Sequence, residues 1–437
     1  MLISRRLIVF IFICLLHTQT WQPFHIEELS NYQNYEFDYR EIDNRAQNLP
    51  INQQDRGILT HDVIGYLPYW EYSQYPDFNY ELLSEINFFS AELASNGDIL
   101  NSHNWENLSI VEFAHDRGVK IKLCATLFGQ SQLTSLLSDS LNRDNAIQNL
   151  VTMVTSKNAD GVDIDFELLP YSQRDNLVLF MEELSIVFHN EMQDPLITMA
   201  TPAVDWSNAW DYNALANLTD GLFIMGYNYF YSGSSTAGPI SPLGGYYYDL
   251  DYTVQDYIDK TNGQLDKLIL GLPYYGYDWP VVNDNINSET TGSGTARFYS
   301  DAQDMSESYG YAFDYLSNAP WFSYNTNNWQ QCWYDDSLSI STKYQYAKEI
   351  DLKGVGIWAL GYDEGRSELW GAIDEQFYSE LLGDLNDDEI VNVLDIILLV
   401  NMILDLSPLQ FNSDINGDGN VDVLDIIIIV NIIIQEL

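Results

Sequence analysis

The stretch Asp160–Gly161–Val162–Asp163–Ile164–Asp165–Phe166–Glu167 alternates carboxylates with apolar residues. Read as a strand, it puts Asp163, Asp165 and Glu167 on one face and Val162, Ile164 and Phe166 on the other, because strand side chains alternate with period two. Three converging carboxyls resist ionising together, so at least one is pushed up in pKa, as a general acid working near neutral pH requires. Asp160 is out of phase with the other three and, with Gly161, reads as support for the strand. In a chain with 64 acidic residues among 437, four acids at this spacing arise by chance about 0.2 times, and about 0.01 times once Gly161 is also required.

Outward from this segment, short β-branched and aromatic runs alternate with longer amphipathic ones. The runs are Val63–Trp70, Glu85–Ala91, Val119–Phe128, Gly161–Leu168, Leu196–Val204, Gly221–Phe230, Lys267–Tyr275 and Gly354–Leu360. Ser135–Lys157 and Gln173–Met192 carry apolar residues at helical spacing. Eight strands with helical crossovers over residues 60–378 predict an α/β fold, a (β/α)8 TIM barrel, and the carboxylate strand is its fourth. The seventh connection is too long for a crossover, so residues 280–350 read as an insertion between strands seven and eight. Aromatic residues at strand ends, Trp70 and Tyr275 among them, sit where sugar rings stack.

With these positions in hand, the segment resembles the D-G-x-D-x-D-x-E signature of glycoside hydrolase family 18, the chitinase family. Gly65–Trp70 (GYLPYW), Met225–Asn228 (MGYN), Gly271–Tyr277 (GLPYYGY) and Gly356–Asp363 (GIWALGYD) agree with it. The resemblance implies a retaining, substrate-assisted glycosidase that needs no cofactor for catalysis. It makes Glu167 the acid and then the base, Asp165 the residue that orients the substrate's acetamido group, and Asp163 its proton-sharing neighbour. Tyr227 contacts the acetamido carbonyl and Trp358 forms the floor under the reacting sugar. Met225, Asn228 and Tyr66 join the substrate-binding set. Two positions depart from the family pattern: Asn228 stands where Asp is frequent, and Ala125–Gly129 replaces a run of small residues on strand three. The implied substrate is chitin or chito-oligosaccharide. The alternatives are an N-acetylglucosaminidase acting on peptidoglycan or N-glycans, and a catalytically silent carbohydrate-binding subunit. Cellulose and xylan, lacking the acetamido group, are excluded.

From Gly383 to Leu437 there are 11 acidic residues and no Lys or Arg. Val391–Leu404 matches Val421–Ile434 at nine of fourteen positions, 30 residues apart. Ahead of each repeat lies a row of oxygen ligands at calcium-loop spacing: Asp384, Asn386, Asp388, Asn392 and Asp395, then Asp414, Asn416, Asp418, Asp422 and Asp425. Gly419 suits the sharp turn of the second loop, whereas Glu389 stands at that place in the first. Residues 383–437 resemble a type I dockerin, a small all-α module. The resemblance implies structural Ca2+ and a cohesin-bearing scaffold as partner. Val393–Leu394 and Val423–Leu424 are apolar where recognition residues are usually polar, which leaves either a divergent cohesin or packing within the chain.

At the other end, Arg5 and Arg6 precede an apolar run, Leu7–Leu16, too short to span a bilayer. Residues 1–20 therefore read as a signal peptide, giving a secreted or cell-surface protein with no membrane span after cleavage. Residues 21–59 are Asn/Gln/Glu-rich without clear periodicity and read as a linker or N-terminal wrap. Removing Cys14 leaves Cys124 and Cys332, two thiols rather than a disulfide framework. The formal charge of −46 repels phosphate backbones and argues against nucleic acid as a partner.

Overall fold

The eight apolar runs form strands whose two faces are both covered, as parallel sheets require. In the computed structural model, which describes residues 23–50, 58–379, 383–386, 390–404, 406–409, 413–416 and 419–435, they are Asp62–Pro68, Glu85–Leu93, Lys120–Phe128, Gly161–Glu167, Leu196–Pro202, Gly221–Met225, Leu268–Pro273 and Gly354–Trp358. Each pairs in parallel with the next, and Gly354–Trp358 pairs back onto Asp62–Pro68. The barrel is closed. Gly161 shows how tightly: a Cβ there would lie 1.8 Å from the Leu196 carbonyl oxygen on the fifth strand.

The helix predicted over Ser135–Lys157 is two helices, Gln130–Ser138 and Ser140–Ser156. Asp139 separates them: its backbone is extended and its carboxylate accepts from the Leu141 amide, an N-cap that ordinary apolar periodicity does not reveal. Arg174–Glu191 buries Leu177, Phe180, Met181, Leu184 and Phe188 against the barrel.

Between strands seven and eight the chain builds a five-stranded antiparallel sheet, in the order Thr295–Phe298, Tyr275–Pro280, Trp329–Trp333, Ala319–Asn325, Ala312–Asp314. The last part of that connection, Ser337–Ile350, is a helix capped by Asp336 that leads into the eighth strand. Cys332 lies in this sheet and Cys124 in the third barrel strand; both are buried and unpaired.

Residues 23–50, read from sequence as lacking periodicity, hold two nine-residue helices, Phe24–Tyr32 and Tyr39–Gln47. Asp38 caps the second. Asp43 is buried, accepts from the Tyr72 and Tyr75 hydroxyls and from the Ser109 amide, and so pins that helix to the barrel. The export signal read from residues 1–20, with Cys14, lies outside the described residues. No helix among the described residues is long and apolar enough to cross a membrane.

The C-terminal repeats give two helices, Val393–Ile403 and Val423–Gln435, around a separate small core of Leu385, Val391, Leu399, Met402, Ile415 and Ile429.

Candidate active site

The fourth strand is buried throughout, and its period-two alternation turns three carboxyls inward together. At its start, the Asp160 carboxylate accepts from His115 Nε2 at 2.8 Å and from the Ile121 amide at 2.7 Å, tying the strand to its neighbour. Asp163 comes next. One of its oxygens accepts from Thr198 and the other from Tyr66, both at 2.6 Å. Burial pushes its carboxyl up, while Lys122, beneath it and paired with Glu85 at 2.6 Å, works against that rise. Tyr66 is fully buried with its hydroxyl on Asp163. It points inward from the first strand, beside the carboxylates.

Asp165 and Glu167 finish the row. Burial and the neighbouring Asp165 charge push the Glu167 carboxyl up to about 7. Tyr227, just past the sixth strand, is buried with its hydroxyl pushed well up by burial. Trp358 ends the eighth strand, fully buried beneath the same point. Met225 and Asn228 line an adjoining cavity of about 550 Å³ that also reaches Glu167, Tyr229, Trp206 and Trp210. Asn228 accepts from the Tyr275 hydroxyl at 2.9 Å.

A residue that the sequence reading left unassigned stands at the centre. The ring of His25, from the N-terminal helix, places Nδ1 2.8 Å from Asp165 Oδ2 and 3.1 Å from Glu167 Oε1. Its Nε2 lies 3.1 Å from the Tyr227 hydroxyl, and its face stacks on Trp358 at 3.7 Å. Asp165, Glu167, Tyr227 and Trp358 thus surround a space the size of one five-membered ring. Burial opposes a charge on His25, but Asp165 and Glu167 outweigh it and push its pKa up to about 10. The available signal was slight: an aromatic–histidine pair, Phe24–His25, ahead of two acids in an otherwise polar segment.

The two C-terminal loops are built alike. Asp395 accepts from the Leu385, Asn386 and Asn392 amides, and Asp425 accepts from those of Ile415, Asn416 and Asp422, all at 2.8–3.1 Å. Asn392 and Asp422 then cap the helices through the Leu394 and Leu424 amides. Gly419 takes φ +85, the left-handed turn for which glycine is suited, and donates to Asp414. Asp388 and Asp418 lie outside the described residues. Val393, Leu394, Val423 and Leu424 are all exposed.

The family model for glycosyl hydrolases family 18 matches residues 62–363, and that for the dockerin type I domain matches residues 382–434. The chain is similar to a cortical fragment-lytic enzyme of Bacillus subtilis, 27% identical over 251 residues, 55% of each chain. It is also similar to the di-N-acetylchitobiase of Mus musculus, 25% identical over 320 residues, covering 62% of this chain and 84% of that one. Among solved structures, a family 18 chitinase of Cycas revoluta in complex with (GlcNAc)3 shares the fold at a TM-score of 0.65. It is 20% identical and covers 72% of this chain and 99% of that one. This chain belongs to glycosyl hydrolases family 18 and carries a type I dockerin domain behind its barrel.

Proposed function

We propose that this glycoside hydrolase cleaves β-1,4 bonds of N-acetylglucosamine polymers, chitin or chito-oligosaccharides, with retention and by substrate assistance. One observation carries the reading: an acid, a second carboxylate, a tyrosine hydroxyl and an indole face converge on a space fitted to a small planar ring. Substrate assistance passes through such a ring. Glu167 gives its proton to the glycosidic oxygen as the C1–O bond breaks, and the acetamido carbonyl oxygen bonds to C1. Asp165 holds the acetamido N–H and faces the positive charge of the oxazolinium ion, with Tyr227 at its oxygen and Trp358 beneath. Water then adds to C1 as Glu167 takes its proton, and the ring reopens. A carboxyl that burial and Asp165 raise above the ordinary range is suited to both transfers.

The experiment is mass-resolved product release from chito-oligosaccharides and from peptidoglycan, with the native chain and with Glu167→Gln. Chito-oligosaccharide products lost in the variant support the reading. Fragments from peptidoglycan alone move the substrate to cell walls and keep the chemistry. No products from either substrate, with binding intact, leave a silent carbohydrate-binding subunit.

The dockerin domain supports a cohesin-bearing scaffold as partner and, with residues 1–20, a secreted or cell-surface location. The loops offer hard oxygens in the same register twice, a donor set that fits calcium. Asp384, Asn386, Asp388, Asn392 and Asp395 would hold one ion, and Asp414, Asn416, Asp418, Asp422 and Asp425 the other. The bound ions would fix the loops from which the two helices start.

A further inference from the structure

We propose that residues 23–32 are an intramolecular inhibitor of this chain's own cleft, with His25 seated where the reacting sugar must go. The proposal rests on the glycosidase reading above. His25 is 1% exposed and fills the space between Trp358, Asp165, Glu167 and Tyr227, so no sugar ring can lie on Trp358 between these groups while the helix is in place.

The occupancy is not one side chain deep. Phe24 lies flat on Tyr275 at 3.7 Å with 2° between the rings, and Tyr32 lies on Trp70 at 4.7 Å with 7°. Glu27 accepts from the Tyr277 and Ser232 hydroxyls, and buried Glu28 accepts from Tyr362. Tyr69 donates to the Tyr32 carbonyl at 2.7 Å. A nine-residue helix, about 13 Å long, thus runs over the aromatic surface from Tyr275 across Trp358 to Trp70.

Charge fits as well as shape. An imidazolium between two carboxylates is a small planar cation, of the kind substrate assistance creates at this point. Its protonation, favoured by Asp165 and Glu167, makes His25 a mimic of that intermediate rather than a mere obstacle.

The helix is held by the cleft and not by its own backbone. Nine residues are too few for a stable isolated helix. Pro23 at its start makes no side-chain cap. Its order comes from the contacts just named and from the second helix, which Asp43 pins and whose Arg45 pairs with Asp77. A tether this short keeps the inhibitor at an effective concentration of about millimolar beside its site. Because the cleft contacts supply its order, removing one central anchor should unseat it despite the tether.

The test uses the full chain, unchanged except for His25→Ala or, at the edge of the helix, Phe24→Ala. Hydrolysis of (GlcNAc)4 and calorimetric binding of (GlcNAc)3 are measured, together with hydrogen exchange of residues 23–32. If the cleft is open less than a tenth of the time, His25→Ala raises trisaccharide affinity and kcat/KM by about tenfold or more, with exchange protection of the helix lost. Phe24→Ala moves both in the same direction by less. A synthetic peptide of residues 23–32 added to the His25→Ala chain restores inhibition, and the same peptide with alanine at the histidine position does not. Equal or lower kcat/KM in His25→Ala, with the native chain hydrolysing normally, overturns the proposal and makes the helix a constitutive wall of the site. If neither the native chain nor the variants bind or cleave either saccharide, although exchange shows the helix released, the glycosidase reading fails and the inhibitor falls with it.

Discussion

At the end of the fourth strand, Glu167 sits between opposed influences: burial and Asp165 raise its carboxyl, His25 lowers it, and the balance lies at about 7. The acid form starts the reaction, so kcat/KM for chito-oligosaccharide should fall as pH rises through the Glu167 pKa, which burial and Asp165 hold above the ordinary carboxylate range, measured as a pH–rate profile. His25 has the complementary signature. Asp165, Glu167 and Tyr227 face it from the barrel, and Glu28 stands one turn along its own helix. Its pKa is raised on docking, so its charge stabilises the docked helix fully below 6.5 and loses that contribution as pH rises through about 10. An NMR titration of the histidine rings should give one midpoint near 10 in the native chain; a midpoint near 6.5 for His25 would mean that the helix is not docked. Of these residues the sequence disclosed Asp163, Asp165 and Glu167, since period two suffices to align them. His25 was hidden because its partners lie 140 and 202 residues away and no local pattern encodes such a distance.

Among the elements, the eight strands were legible because most are short runs rich in β-branched or aromatic residues, the mark of a strand covered on both faces, and the fourth alternates such residues with carboxylates. The break at Asp139 was not, since one capping carboxylate ends a helix without disturbing the apolar spacing around it. The N-terminal helix was harder still: its inward residues include His25 and Glu28, polar types that ordinarily face water. Gly161 tests the barrel at this scale. Gly161→Ala would drive a methyl into the Leu196 carbonyl, which is backbone and has no rotamer to yield. The strands must part, and a loss of about 3 kcal/mol in urea unfolding is expected. A loss near zero would mean that the fourth and fifth strands are not in this register.

Across the whole molecule, composition spoke for the separation into a barrel and an acidic tail of repeats, but not for what covers the cleft. Among the described residues the C-terminal unit has six buried apolar side chains, and a unit this small has little core to hold two helices unaided. Chelation with EDTA should therefore abolish its thermal transition while hydrolysis of soluble oligosaccharide by the barrel continues. Retention of that transition would show that the loops do not depend on the ion. The two cysteines of the described residues have a separate consequence. Because Cys124 and Cys332 are buried and unpaired, nothing in the described fold waits on an oxidant, and a reducing cytoplasm should yield the same barrel as an oxidising periplasm. Each thiol is also a silent clock. One sits in the barrel wall and the other in the antiparallel sheet beside it, so the order in which an alkylating reagent finds them in rising denaturant tells which of the two opens first.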